Sequence, residues 1–162
     1  MRVLGIDPGS LTTGVGVIDS DQGGIRFVDS RRIRVSGRPL PVRLGMIYDG
    51  VGAMIDEHRP DVVSVEKVFF ATNPNSALVL GQARGSAICS AVTREREVVE
   101  YTALQVKQAV VGTGGARKEQ VQHMVRVLLG LRSTPGSDEA DALACAICHV
   151  HTHQVETKLR QA

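Results

Sequence analysis

Arg2-Val3-Leu4-Gly5-Ile6-Asp7-Pro8-Gly9, followed by Gly14-Val15-Gly16-Val17-Ile18-Asp19, is the stretch on which the fold turns. Val3 to Asp7 is a short apolar run that reads as a strand, and Asp7-Pro8-Gly9 stops it and turns the chain. Gly14 to Asp19 reads as a second strand, so the two form a β-hairpin across Pro8 to Thr13. A strand that ends in an acid at a turn fixes where chemistry is to be sought.

Working outward, Ile25 to Val35 alternates Phe27, Ile33 and Val35 with Arg26, Arg32 and Arg34, as a partly solvent-facing third strand does. Leu40, Leu44, Ile47, Val51, Met54 and Ile55 recur at helical spacing and predict an amphipathic helix ending near His58-Arg59-Pro60. Asp61 to Glu66 reads as a buried strand, again ending in an acid. Ser76 to Thr93 predicts a helix with Ala77, Gly81 and Gly85 four apart, a spacing that admits another backbone, either within the fold or across a dimer. Val98 to Tyr101 is a fifth strand, and Ala103 to Val110 a short helix. A loop at Gly112-Thr113-Gly114-Gly115 precedes an amphipathic helix from Arg117 to Leu131, and a last helix begins near Ser137-Asp138. Hairpin strands followed by alternating helices and strands predict an α/β fold with a mixed five-stranded sheet flanked by helices.

Residues 1–162 show no repeat, low-complexity tract or long linker and read as one domain, with a tail from about residue 152 that has the character of a flexible end. Aromatic residues are 3% and Trp is absent, so the core must be aliphatic. The first residues hold too short an apolar run for a signal peptide, and no stretch approaches a membrane span. Three cysteines, Cys89, Cys145 and Cys148, do not suggest a disulfide framework. The expectation is a cytoplasmic protein with reduced thiols and no membrane partner. Net charge is only +2, but six arginines and one acid between Arg26 and Arg43 give a local balance of +5. Lys107, Arg117, Lys118, Arg126 and Arg132 against Glu119 give another of +4. Two basic segments on a near-neutral chain suit a polyanion meeting particular faces.

Asp7 ends the first strand and Glu66 the fourth; if those strands are parallel neighbours, both acids emerge at the sheet edge where open α/β sheets place ligands. Asp138 and Asp141, three apart at a helix start, share one face, and the helix N-terminus tolerates clustered anions. Each acid alone has a structural excuse: a turn residue at Asp7, an N-cap with an acidic partner at Asp138 and Asp141. Glu66 has the weakest excuse, because Glu suits a buried strand poorly. Together they favour a cation site. Mg²⁺ prefers hard oxygen ligands, and two such ions ~3.5–4 Å apart activate a water and stabilise the leaving oxygen in phosphoryl displacement. The chain therefore reads as a metal-dependent nuclease.

The same segments resemble the RuvC family of Holliday junction resolvases, which have the ribonuclease H-like fold. The resemblance rests on Gly5-Ile6-Asp7-Pro8-Gly9 with Gly14, Val65-Glu66-Lys67-Val68-Phe69, Leu80-Gly81-Gln82-Ala83-Arg84-Gly85, Tyr101, Gln105-Val106-Lys107, Val111-Gly112-Thr113-Gly114, Lys118 and Asp138-Glu139-Ala140-Asp141-Ala142-Leu143-Ala144. It runs in order from Arg2 to about His151. It implies that Asp7, Glu66, Asp138 and Asp141 are catalytic and bind Mg²⁺, with Mn²⁺ able to substitute. Lys107 and Lys118 match basic positions that face DNA or the scissile phosphate, and Phe69 an aromatic that stacks on junction bases. Arg117, beside Lys118, is a further candidate for contact with DNA phosphate. The resemblance also implies a homodimer that nicks two strands of a four-way junction symmetrically, leaves 5′-phosphate and 3′-hydroxyl ends, and works with RuvA and RuvB in bacterial recombinational repair. The chain departs from the family pattern at Lys67, at Phe70 and at Glu139-Ala140, where two small residues are expected. Glu139 is then either an extra acid at the site or, by the plainer reading, a solvent-facing side chain.

Cys145-Ala-Ile-Cys148-His149 is formally a haem-attachment string and, with His151 and His153, a conceivable zinc site. Its place inside a helix favours thiols packed on the helix's apolar side. Gly112 to Lys118 lacks the G-K-[ST] ending of a P-loop. Two other readings stay open on the sequence: a non-catalytic junction-binding protein of the same fold, and a fragment of an actin-like ATPase, whose first phosphate loop the Asp7-Pro-Gly hairpin resembles.

Overall fold

A computed structural model describes residues 1–67 and 73–161 of the chain. The strands are β1 (Arg2–Asp7), β2 (Thr12–Asp21), β3 (Gly24–Arg34), β4 (Val62–Lys67) and β5 (Glu97–Thr102). The helices are α1 (Leu40–His58), α2 (Pro74–Val92), α3 (Ala103–Val111), α4 (Lys118–Leu128) and α5 (Ser137–Gln161). The sheet order is β3-β2-β1-β4-β5. β1, β2 and β3 pair antiparallel, whereas β4 runs parallel to both β1 and β5. The mixed five-stranded sheet is as the sequence predicts, and β1 and β4 are the parallel neighbours that the acid argument requires.

Alternation along each strand divides the core into two layers. Leu4, Ile6, Val15, Val17, Val63 and Val65 pack with Ile47, Val51 and Met54 of α1 and Ala83, Ala87 and Ala91 of α2. On the other face Val3, Ile18, Val62 and Tyr101 pack with Val106 and Val110 of α3, Val121 and Val125 of α4, and Leu143, Ile147 and Val150 of α5. The second face is the one that matters for function, because Val3, Gly5 and Asp7 share it by period two, as do Val62, Ser64 and Glu66.

Helix α5 lies directly on that face. A β-carbon on Gly5 would fall 1.9 Å from the carbonyl oxygen of Ala142, and one on Gly14 would fall 1.9 Å from that of Asp138. On Gly16, paired with Gly5 across the hairpin, it would meet the Leu143 side chain at 2.7 Å. Ser64 Oγ donates to the Cys145 carbonyl at 2.8 Å in the same buried seam. The sheet surface under α5 is thus made of residues small enough for main chain to rest on main chain.

The ends of the elements have local causes. Thr102 and Gln105 form a reciprocal capping box at the start of α3, and Gly112 closes that helix at φ 84°. Asn73 caps α2 by accepting from the Asn75 N–H, and Pro74 takes the first turn. Three expectations change. Helix α4 stops at Leu128, because Gly130 adopts φ 60° and Leu131 N–H returns to the Arg126 carbonyl at 2.9 Å. Phe27 does not share a face with Ile33: the register of β2 with β3 shifts between Val17 and Ile18, the alternation inverts, and Phe27 is left exposed. The segment read as a tail from about residue 152 continues α5 as helix to Gln161.

Gly5→Ala is expected to lift α5 from the sheet and destabilise the protein by ~1–3 kcal/mol, the usual scale for overpacking. Gly45→Ala, in α1 where nothing lies within 4 Å of the new β-carbon, is expected to stabilise by ~0.5–1 kcal/mol. Urea denaturation should show the midpoint falling in the first variant and rising in the second, with unchanged slope.

Candidate active site

Asp7 is the last residue of β1 and sits opposite Gly14 in the hairpin. Glu66 lies near the end of β4, one step beyond the Ile6–Val65 pair, so both carboxylates leave the same sheet edge on the α5 side. Because Gly14 lets the Asp138 main chain close on β2, the first turn of α5 lands beside them and brings Asp138 and Asp141 into the group. The helix start also presents its partial positive charge there.

The electrostatics record the convergence. Burial, then the charges of Asp141, Glu66 and Asp138, push the Asp7 carboxyl from its ordinary 3.8 up to about 8, with Lys118 opposing. Burial, then Asp141, raises Glu66, while Lys107 and Lys118 oppose. Lys118, first residue of α4, bonds Asp141 Oδ2 through Nζ at 2.9 Å. That bond is the largest cause holding the ammonium above its ordinary range, burial working against it. The two lysines singled out in the sequence thus stand at the mouth of the acid cluster. Arg117 is exposed at the N-cap of α4, its backbone N–H donating to Gln120 Oε1 at 2.7 Å. Phe69, and with it the expected stacking aromatic, lies outside the described residues.

Glu139 turns away from the acids. Its Oε2 accepts from Gly136 N–H at 3.1 Å and stands 3.6 Å from Arg32 Nε of β3. It caps the first turn of α5 and ties that turn to the sheet, so it neither joins the cluster nor points freely to solvent. Two supporting groups went without a role in the sequence reading. Arg84 of α2 donates through Nε to the Glu66 carbonyl at 3.3 Å and pairs with Glu100 of β5, which steadies the strand end carrying Glu66. Ser64, two residues before Glu66, pins α5 through Cys145. Neither leaves a sequence signal, because both bond to main-chain carbonyls of distant segments.

Cys145 and Cys148 are buried in the core under α5. Burial pushes both thiols up, Cys148 to about 11. Enclosed in the core, they are packing groups, the reading their place inside a helix favours. A separate cluster, Asp29, Glu57 and His58, brings potential ligand atoms within 4.8 Å of one another. The cation there is already Arg31, whose Nη2 lies 2.8 Å from Asp29 and 2.9 Å from Glu57. Its neighbour Arg2, which donates to the His58 carbonyl, is at the start of β1, the end opposite Asp7.

Residues 3–149 match the RuvC family, described as crossover junction endodeoxyribonuclease RuvC. A protein of that description from Azoarcus sp. (strain BH72) is 57% identical over 153 residues, which are 94% of this chain and 84% of that one. The structure of Thermus thermophilus RuvC matches with a TM-score of 0.88 and 36% identity, covering 97% of this chain and 98% of that one. T. thermophilus RuvC in complex with Holliday junction substrate matches with the same TM-score at 34% identity and the same coverage.

The folded chain keeps a proton on Asp7 up to about pH 8, whereas unfolding returns the carboxyl to 3.8. The folded state binds more protons across that window, so the stability of the metal-free protein falls as pH rises through it. Asp7→Asn removes the penalty. In EDTA its Tm should exceed the parent's at pH 8 by at least ~2 °C, the shift expected of ~1 kcal/mol at this size, and the difference should shrink toward pH 3, where Asp7 is protonated in the parent fold and largely so in the unfolded chain.

Proposed function

The chain belongs to the RuvC family of crossover junction endodeoxyribonucleases, and from that membership we propose that Asp7, Glu66, Asp138 and Asp141 form the site at which it cuts four-way DNA. It is an endonuclease that resolves Holliday junctions, acting in recombination and repair. The observation that carries the assignment is the placement of the acids: Asp7 and Glu66 leave neighbouring parallel strands on the α5 side, beside the first turn of α5, where burial first and Asp141 next drive both from their charged forms. A set of hard oxygen donors held in that state is what a divalent cation relieves.

The activity is metal-dependent, and we take the ion to be Mg²⁺, two per site, with Mn²⁺ able to replace it. Bound among these carboxylates, the ions supply activation of a water and neutralisation of the leaving oxygen. The chain's own residues do the rest. Strand ends and a helix start fix the acids at one edge of the sheet. Lys118 and Lys107 add positive charge at the mouth, where the scissile phosphate would lie, and Arg117 extends that charge along the rim. Phe69, following Glu66 in sequence, is the residue we assign to stacking on an unpaired base, a contact worth ~1–3 kcal/mol. Hydrolysis leaves 5′-phosphate and 3′-hydroxyl ends.

Residues 1–162 serve as one nuclease domain in this reading, and paired nicking calls for a homodimer, whose two-fold axis matches that of the junction. Helix α2 supports it: its inward face is used by Ala83, Ala87 and Ala91 against α1, while among the described residues a β-carbon on Gly81 or Gly85 would meet nothing within 4 Å and Leu78 is 68% exposed. RuvA and RuvB are the partners expected to deliver the junction in the bacterial cytoplasm. Among the described residues no helix is long and apolar enough to cross a membrane.

Asp7→Asn should bind a synthetic four-way junction as the parent does in a gel-shift assay. Its nicking in Mg²⁺ should fall by ~10³-fold or more, a loss of several kcal/mol of barrier lowering. Unchanged nicking would sink the site assignment. A parent inactive in both Mg²⁺ and Mn²⁺ would leave junction binding as the function, and RNA–DNA hybrids should survive conditions under which junctions are cut.

A further inference from the structure

The basic stretch from Arg26 to Arg43 is a feature of the sequence that the acid site leaves unused, and the fold sorts its six arginines by partner. Arg26 pairs with Asp21 at 2.7 Å. Arg31 is held by Asp29 and Glu57, and Arg32 stands 3.6 Å from Glu139. Among the described residues Arg34, Arg38 and Arg43 pair with no carboxylate, and Arg34 and Arg38 are exposed. The first turn of α1, to which Arg43 belongs, carries no acid.

Those three arginines stand around one turn. The hairpin turn from Pro8 to Leu11 directly follows Asp7, and Arg34 ends β3 opposite Thr12, where the chain re-enters the sheet. The next residue, Val35, donates its N–H to the Leu11 carbonyl at 2.9 Å. Arg43 closes the ring: its Nε donates to the Arg38 carbonyl at 2.6 Å and its Nη1 to the Ser10 carbonyl at 3.4 Å. The turn itself is tight. Thr13 Oγ1 donates to the Gly9 carbonyl at 3.1 Å, and a β-carbon on Gly9 would fall 2.0 Å from the Thr12 carbonyl oxygen. The backbone that carries the arginines is therefore tied to the turn that ends β1 at Asp7.

Position in the sheet gives this charge a meaning. In the order β3-β2-β1-β4-β5, Asp7 and Glu66 lie on adjacent inner strands. Lys107 belongs to α3, which follows β5 on one side of them, and Arg34 belongs to β3 on the other. Strand β3 stands two strand spacings, ~10 Å, from β1, a distance that a nucleic-acid strand covers in a few phosphates. We propose that Arg34, Arg38 and Arg43 form a second phosphate-binding rim, on the hairpin side of the acids, that grips the DNA backbone on the flank of the cut opposite Lys107 and Lys118. The proposal rests on the reading of the four acids as the cutting site. Guanidiniums with no internal counterion suit phosphate, whose oxygens their planar fork matches. Arg43 spends two donors on carbonyls and so positions the rim, leaving Arg34 and Arg38 as its principal contacts. With a rim on each side, the scissile phosphate is located by the span between them.

The test measures affinity of the full chain for a synthetic four-way junction in EDTA, where no strand is cut, over a range of salt concentrations. Arg34→Gln and Arg38→Gln, exposed changes whose melting should match the parent, should each lower affinity roughly five- to tenfold at 0.1 M salt and reduce the slope of log K against log salt by about 1. Arg26→Gln, near the other end of β3, should leave affinity, slope and Mg²⁺-dependent nicking unchanged. Uncharged methylphosphonates placed singly around the cut locate the contact. Those on one flank should weaken the parent but not the Arg34→Gln/Arg38→Gln double variant, and those on the other should weaken the parent but not Lys107→Gln. A parent that nicks junctions, with a double variant of parental affinity and slope, overturns the rim alone and leaves an acidic protein as the occupant of this surface. Equal sensitivity of parent and double variant to every methylphosphonate overturns it too. A parent that binds with the predicted slopes but does not nick keeps the rim and sinks the acid assignment.

Discussion

The close approach of α5 to the hairpin is the constraint on which the rest depends. The carbonyls of Asp138 and Ala142 occupy the places where β-carbons on Gly14 and Gly5 would be. A helix that touches a sheet main chain to main chain cannot slide or rotate without collision, so its first turn is fixed over the end of β1. Glycine in a strand is itself unfavourable by ~0.5–1 kcal/mol relative to alanine. The offset comes from what the approach buries: Leu143, Ile147 and Val150 are all fully enclosed. Gly136 and Glu139 then finish the turn through a cap and Arg32. Position is thus secured chiefly by apolar packing and main-chain fit.

That division of labour explains how the site survives its own charge. Asp7 is pushed to about 8, and Glu66 is also raised, by an environment that offers burial and like charge. The cluster is a local destabilisation of the metal-free fold, of the kind active sites keep at the expense of stability. Lys118 relieves part of it through Asp141, and because its side chain is more than half exposed this is a bond that can be exchanged for another partner. A rigid frame around a repelling centre is what the proposed cation site needs before a cation arrives: acids so held neither collapse onto one another nor disperse.

Most of this was legible because period-two patterns carry position as well as secondary structure. Asp7 and Glu66 close apolar runs, so once β1 and β4 are parallel neighbours both acids share an edge and a face. Asp138 and Asp141 announce a helix start by spacing. What could not be read depended on pairs distant in sequence. The inversion at Phe27 comes from a register shift opposite Val17 and Ile18, which no pattern within β3 displays. Glu139 looks like a fifth acid beside the site until Arg32 and the Gly136 N–H claim it. Arg84 and Ser64 bond to carbonyls, and a carbonyl has no residue identity for a sequence to show.

The cysteine-histidine string marks the same boundary from the other side. As a motif it resembles thiol ligation, but its place inside a helix favours packing, since residues three and four apart on a helix both fall on one broad face. The decision comes from what packs against that face. Toward the sheet interior, Val62, Tyr101 and Leu143 enclose the thiols and remove them from chemistry. Toward the edge strand, the Tyr101 hydroxyl bonds the His149 ring, and the helix continues to Gln161 beyond the cover of the sheet. One helix therefore carries a packed stretch between two polar ends. Each end owes its polarity to the strand residue it meets: Asp7 on β1 at the start, Tyr101 on β5 where the sheet runs out. Whether a ligand-bearing residue in this fold is chemistry or packing is set by where α5 crosses the sheet edge.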